Sequence, residues 1–111
     1  MNGYLLTFYT QQDRSIHGQP IGEWLVEQAK AVGIHGATLV AASEGFGHDK
    51  KLHSVHFFEL TDQPIEVSMA ISGIDAMKIF TALKHNQVNV FYTMMPIEYG
   101  MSADFTEDPS I

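Results

Sequence analysis

YLLTFY, residues Tyr4 to Tyr9, sets Tyr4, Leu6 and Phe8 on one alternating side and Leu5, Thr7 and Tyr9 on the other. Side chains alternate across a strand, so a strand that is apolar in both sets is covered on both faces. VNVFYTMM, Val88 to Met95, repeats the pattern near the other end of the chain, and Pro96 is expected to end it. Two such strands require a layer on each side of their sheet. That requirement decides the architecture.

Between these strands, Pro20 is expected at the first position of a helix, where its missing N–H costs nothing. Ile21, Trp24, Leu25, Ala29 and Val32 follow at helical spacing, and Gly33 stands where a left-handed residue closes a helix. ATLVAA (Ala37 to Ala42), SVHFFEL (Ser54 to Leu60) and IEVSMAI (Ile65 to Ile71) read as strands. Gly73 is expected to break the last of these. A second helix is expected over Ile74 to Lys84, with Ile74, Met77, Phe80 and Leu83 along one side and Ala76 and Ile79 broadening it.

The order gives an α+β chain, a ferredoxin-like βαββαβ sandwich with one extra strand. Right-handed crossovers place both helices on one face of an antiparallel sheet, and nothing else in the chain covers the other face. Copies that bury their open faces against one another in a closed ring resolve that conflict. Residues 1–100 read as a single domain. Residues 101–111, acidic and poor in aliphatic side chains, read as a flexible tail.

The 111 residues carry no cysteine, which removes disulfide scaffolds, thiol chemistry and cysteine zinc sites and fits a cytoplasmic setting. Thirteen acidic residues against six basic ones leave a formal charge of −7, which repels nucleic-acid backbones. An isolated nucleotide needs only a small anion site and stays open. The opening residues read as a strand and not a signal peptide, and no apolar run reaches the roughly 18 to 20 residues of a membrane span.

Candidate chemistry gathers in EGFGHDKKLHSVH, Glu44 to His56. Gly45 and Gly47, around Phe46, let a ligand approach the main chain, and Lys50 and Lys51 can neutralise an anion beside them. A flexible turn with solvated lysines is the plainer reading. Glu44 offers a carboxylate at a strand end, as ligand contact or salt bridge. His48 and His53 are the metal candidates. Residues three apart on a strand, such as His53 and His56, point to opposite faces about 10 Å apart, which opposes a simple chelate. His17, in HGQP before the first helix, is a ligand contact or a helix cap. His35 and His85 read as loop residues, and Trp24, Met94 and Met95 as packing. The chain has no P-loop, Rossmann fingerprint, nucleophile elbow or HExxH motif.

HGQP before the first helix, GATLVAASEGFG along the second strand and LHS opening the next resemble domain of unknown function 190, a PII-like group of small bacterial and archaeal proteins. The resemblance runs from Tyr4 to Tyr99. It implies a ferredoxin-like subunit in a homo-trimer, akin to PII signalling proteins and CutA, with ligand in the clefts between subunits. It also implies that Gly45, Phe46 and Gly47 form the base of a shortened T-loop holding His48 to Lys51, with His53 at its return. PII proteins hold phosphates partly with a basic, glycine-rich loop before the last strand. Here that place reads LKHNQVNV, with Lys84 and His85 but no glycine, and the tyrosine modified in many PII T-loops is missing.

The expected function is that of a non-enzymatic regulatory protein. It would bind a nucleotide or other small anion through Glu44, Gly45, Phe46, Gly47, Lys50, Lys51, His17 and Lys84, and present its loop to a protein target. Two alternatives stay open. One is a CutA-like protein binding a divalent metal through His48 and His53. The other is a small ferredoxin-like enzyme, which needs a closed apolar cavity between sheet and helices.

Overall fold

A computed structural model describes residues 1–34, 36–41, 44–46, 52–54 and 63–106. Strand β1 (Asn2–Gln11) is followed by the short strands β2 (Ser15–Ile16) and β3 (Gln19–Pro20), helix α1 (Ile21–Ala31) and strand β4 (Ala37–Ala41). Then come β5 (Glu44–Phe46), β6 (Leu52–Ser54), β7 (Pro64–Ile71), helix α2 (Gly73–His85) and β8 (Phe91–Glu98). A single 3-10 turn, Ser102–Asp104, follows.

Four of the strands make one antiparallel sheet in the order β4-β7-β1-β8. β7 lies between β1 and β4, and β1 lies between β7 and β8, so each helix connects two strands that skip a neighbour. This is the ferredoxin-like arrangement expected from the element order. The additional strands pair separately, β2 with β3 and β5 with β6.

Register assigns the faces, because residues opposite one another in an antiparallel pair share a side. Leu6 faces Met69 and Met94, and Phe8 faces Val67 and Tyr92. Leu6, Phe8, Val67, Met69 and Ile71 are buried beneath the helices, against Trp24, Leu25 and Ala29 of α1 and Ala76, Ile79 and Leu83 of α2. Phe80 of α2 stands edge-on to Phe8 at 5.8 Å and to Tyr92 at 4.8 Å, which fastens that helix over β1 and β8. Fully burying a side chain such as Leu6, Phe8 or Ile79 contributes about 1.5–3 kcal/mol.

The opposite face combines Leu5, Thr7 and Tyr9 with Glu66, Ser68 and Ala70, and with Phe91, Thr93 and Met95. Its centre is polar. Thr7 Oγ1 and Ser68 Oγ are hydrogen-bonded at 2.9 Å, and the Tyr9 hydroxyl and Thr93 Oγ1 at 3.1 Å. Around that centre Val40, Phe91 and Met95 are exposed. No element among the described residues covers this face.

Several local expectations are corrected. Ile74 and Met77 point to solvent, and the buried stripe of α2 is Ala76, Ile79 and Leu83. Gly73 is the first residue of α2, because the Ser72 hydroxyl accepts the Asp75 N–H at 3.1 Å and caps the helix. Pro96 lies within β8 and does not end it. An edge strand can turn a proline nitrogen away from its one partner. Pro20 is the N-cap of α1 and not its first residue. Of the strand expected over Ser54 to Leu60, Ser54 belongs to β6, and residues 55–60 lie outside those described.

Candidate functional site

The described candidate residues belong to elements that meet at one end of the sheet. There β1 finishes at Gln11 opposite Pro64, β4 finishes at Ala41 opposite Ile65, and β8 begins at Phe91 opposite Tyr9. The β2–β3 hairpin leaves this end after β1, the β5–β6 hairpin leaves it after β4, and α2 finishes there before β8.

His17 and Gly18 are the two loop residues between β2 and β3, with φ of 52° and 79°. Positive φ at both positions is the tight turn that suits the twist of a hairpin, and glycine takes it at no steric cost. His17 is held there by a tertiary bond. Its Nε2 lies 3.0 Å from Asn86 Oδ1, while Asn86 Nδ2 donates to the Ala82 carbonyl at 2.8 Å. With the amide nitrogen committed as donor, Oδ1 is the acceptor, and the proton sits on His17 Nε2. Arg14 makes a second tie by donating from Nη2 to the Asn89 carbonyl at 3.0 Å. Its own carbonyl accepts the Ile21 N–H at 2.9 Å. α1 has no side-chain cap, so His17 does not cap it.

Asn86 is the C-cap of α2, and Lys84 and His85 stand in its last turn. His85 is therefore helical, where a loop position was expected. Cations in a last turn are favoured by the partial negative charge of the free carbonyls. The corner thus gathers Arg14, His17, Lys84 and His85 around the end of one helix. In a chain of charge −7 this is a local concentration of donors.

The second group lies on the other edge. β5 and β6 pair Glu44 with Ser54, Gly45 with His53 and Phe46 with Leu52. Gly45 and His53 are thus brought opposite one another. Gly47, His48, Lys50 and Lys51 lie outside the described residues. β4, from which this hairpin continues, and β8, which α2 precedes, are the two edges of the sheet. Three interstrand spacings separate them, about 14 Å.

The structure brings His17 and Lys84 into one corner and Glu44, Gly45, Phe46 and His53 into one hairpin. The hairpin continues from the β4 edge of the sheet, and Lys84 precedes the β8 edge. Sequence reasoning missed Arg14 and Asn86. An asparagine directly after the last helical turn was the available signal for Asn86, since that position favours a residue that can close a helix.

Among the described residues no three His, Asp or Glu side chains are gathered as metal ligands. A shallow cleft of about 380 Å³ at the far end of the sheet is lined by Asn2, Gly3, Tyr4, Pro96, Ile97 and Glu98, and holds none of the candidates. No described helix is long and apolar enough to cross a membrane.

Comparison with known proteins completes the description. The profile of domain of unknown function 190, described as "Uncharacterized ACR, COG1993", matches residues 3–99. The UPF0166 protein of Aquifex aeolicus (strain VF5) is 30% identical over 94 residues, covering 85% of this chain and 90% of that protein. A structure of CPII, a nitrogen regulatory PII-like protein from Thiomonas intermedia K12, bound to ADP, AMP and bicarbonate, is similar with a TM-score of 0.67 at 15% identity. That similarity covers 93% of this chain and 92% of CPII. A second CPII structure, bound to ADP and bicarbonate, has a TM-score of 0.65 at 15% identity and covers 96% of each chain.

Proposed function

The chain belongs to the family of domain of unknown function 190, and from that premise we propose that it is a PII-like, ligand-responsive regulatory protein. It works as a homo-trimer and binds a nucleotide or another small anion in the clefts between subunits. One observation carries this reading. The β5–β6 hairpin continues from the β4 edge and Lys84 precedes the β8 edge, and those edges stand three interstrand spacings apart, about 14 Å. A ligand held by both groups would therefore sit where the β4 edge of one copy meets the β8 edge of the next.

In such a cleft, Glu44, Gly45, Phe46, Gly47, Lys50 and Lys51 come from one copy, and His17 and Lys84 from its neighbour. The hairpin supplies backbone that a ligand can approach closely, and Lys84 supplies charge. Ligand favours one arrangement of the loop at positions 47–51, and that arrangement offers or withdraws a surface for a protein target. The complexes of CPII with ADP, AMP and bicarbonate support anionic ligands of this class. The buried apolar cluster between sheet and helices and the likeness to CPII support a binding protein over an enzyme. A cytoplasmic location accords with the cysteine-free composition.

The test is calorimetric titration of the wild type and of Lys84→Ala with ADP, AMP and bicarbonate. At least one ligand should bind the wild type with one site per copy. Lys84→Ala should weaken it about ten-fold or more, since a hydrogen bond to a charged group contributes about 1.5–3 kcal/mol. Absence of binding across the panel overturns the reading, as does affinity indifferent to Lys84. Uptake of a divalent metal, abolished by His48→Ala with His53→Ala, would replace it with the metal-binding alternative.

A further inference from the structure

The outer face of α2 exposes apolar side chains beside basic ones. Ile74 and Met77 lie one turn apart on it, 71% and 70% exposed. Lys78, Thr81, Lys84 and His85 are exposed on the same helix. Its one acid, Asp75, is spent on Lys78 at 3.5 Å. In a chain of charge −7, this is an apolar and locally basic face.

The C-terminal segment has the complementary chemistry. Met101 and Phe105 are 72% and 75% exposed. Asp104, Glu107 and Asp108 are its charges, and residues 101–111 contain no base. The segment also starts in the right place. β8 finishes at Glu98 opposite Asn2, at the end of the sheet where β7 passes through Ser72 into α2. β8 lies directly beneath α2, through the Phe80–Tyr92 contact. Eleven residues span up to ~35 Å when extended, whereas the 13-residue helix is ~20 Å long. Gly100 stands just before the segment, and glycine adopts backbone angles that other residues avoid.

We propose that the exposed face of α2 is the docking surface of the chain's own C-terminal segment, residues 101–111. Met101 and Phe105 cover Ile74 and Met77, and the three carboxylates face Lys78 and Lys84. The described part of the segment leaves Phe105 in solvent, so docking is a second position of the tail, reached by rotation about Gly100. It does not depend on the ligand reading above.

The absence of cysteine makes the test direct. Two double variants are compared under mild oxidation, Met77→Cys with Phe105→Cys, and Lys30→Cys with Phe105→Cys. Lys30 is exposed in the last turn of α1 and so lies at the same end of the sheet as the base of the tail. All three positions are exposed, so the fold tolerates the changes. The Met77 pair should close about ten-fold faster than the Lys30 pair, within single chains, because docking raises the local concentration of the two thiols. The preference should fall when Asp104→Asn, Glu107→Gln and Asp108→Asn are added. Equal rates overturn the proposal, and so does a preference indifferent to those charges. Disulfides between chains overturn it in favour of a second copy as occupant.

Discussion

At the scale of single residues, Gly3 occupies a position where a Cβ would run into the Ile71 carbonyl oxygen and lie 2.6 Å from the Tyr99 ring. Its bare backbone lets Tyr99 lie against β1, where the Tyr99 carbonyl accepts the Met1 amino group at 3.0 Å. Gly3→Ala should therefore lower stability by about 1–3 kcal/mol, read as the midpoint of urea unfolding. An unchanged midpoint would mean that Tyr99 yields freely. His17 makes the same point from the functional side. Its residue type and place before α1 marked it as a ligand contact or a cap, but its partner Asn86 is 69 positions away. No local pattern contains that distance. Lys84 was readable as a charge. That it shares a corner with His17 was not.

At the scale of elements, the two helices finish in the same way with different residues. In α1, Gly33 at φ 84° donates to the Lys30 carbonyl at 3.0 Å, and Ile34 donates to Ala29 at 3.1 Å. In α2, Gln87 at φ 56° donates to Lys84 at 3.1 Å, and Val88 donates to Leu83 at 2.9 Å. Glycine takes this left-handed position at no steric cost, whereas a side chain does not. Gln87→Gly should therefore raise stability by about 1 kcal/mol, and thermal melting checks it. A loss would show that the glutamine side chain contributes more than its strain. The first helix was legible because its glycine and its apolar stripe agree. In the second, Ile74 and Met77 fit the helical period as well as Ala76, Ile79 and Leu83 do, and only packing against Phe8 and Tyr92 decides which set is inside. The Ser72 cap was also written in the chain, as a serine three residues before an aspartate, but Gly73 obscured it. Pro96 could be placed inside a strand only once β8 was known to be an edge.

At the scale of the whole molecule, the two-faced strands pointed correctly to a sheet with helices on one side, and on the second side no element among the described residues lies over it. The composition of that second side was only partly foreseen. Thr7, Ser68, Tyr9 and Thr93 satisfy one another at its centre, and the apolar groups Val40, Phe91 and Met95 ring it. Contact with another copy would bury those apolar groups while the polar pairs keep their bonds to one another. That the β5–β6 hairpin follows one edge strand and Lys84 precedes the other depends on strand order, which no stretch of sequence records. The proposed function therefore stands on assembly: a closed ring would bring the two groups of candidate residues into one cleft. Native mass spectrometry of the wild type and of Met95→Arg tests it most directly. The account predicts a wild-type species of three times 12.4 kDa and a single-chain species for the variant, whose charge would be buried unpaired in the interface. A wild type that remains at 12.4 kDa at micromolar concentration would contradict it.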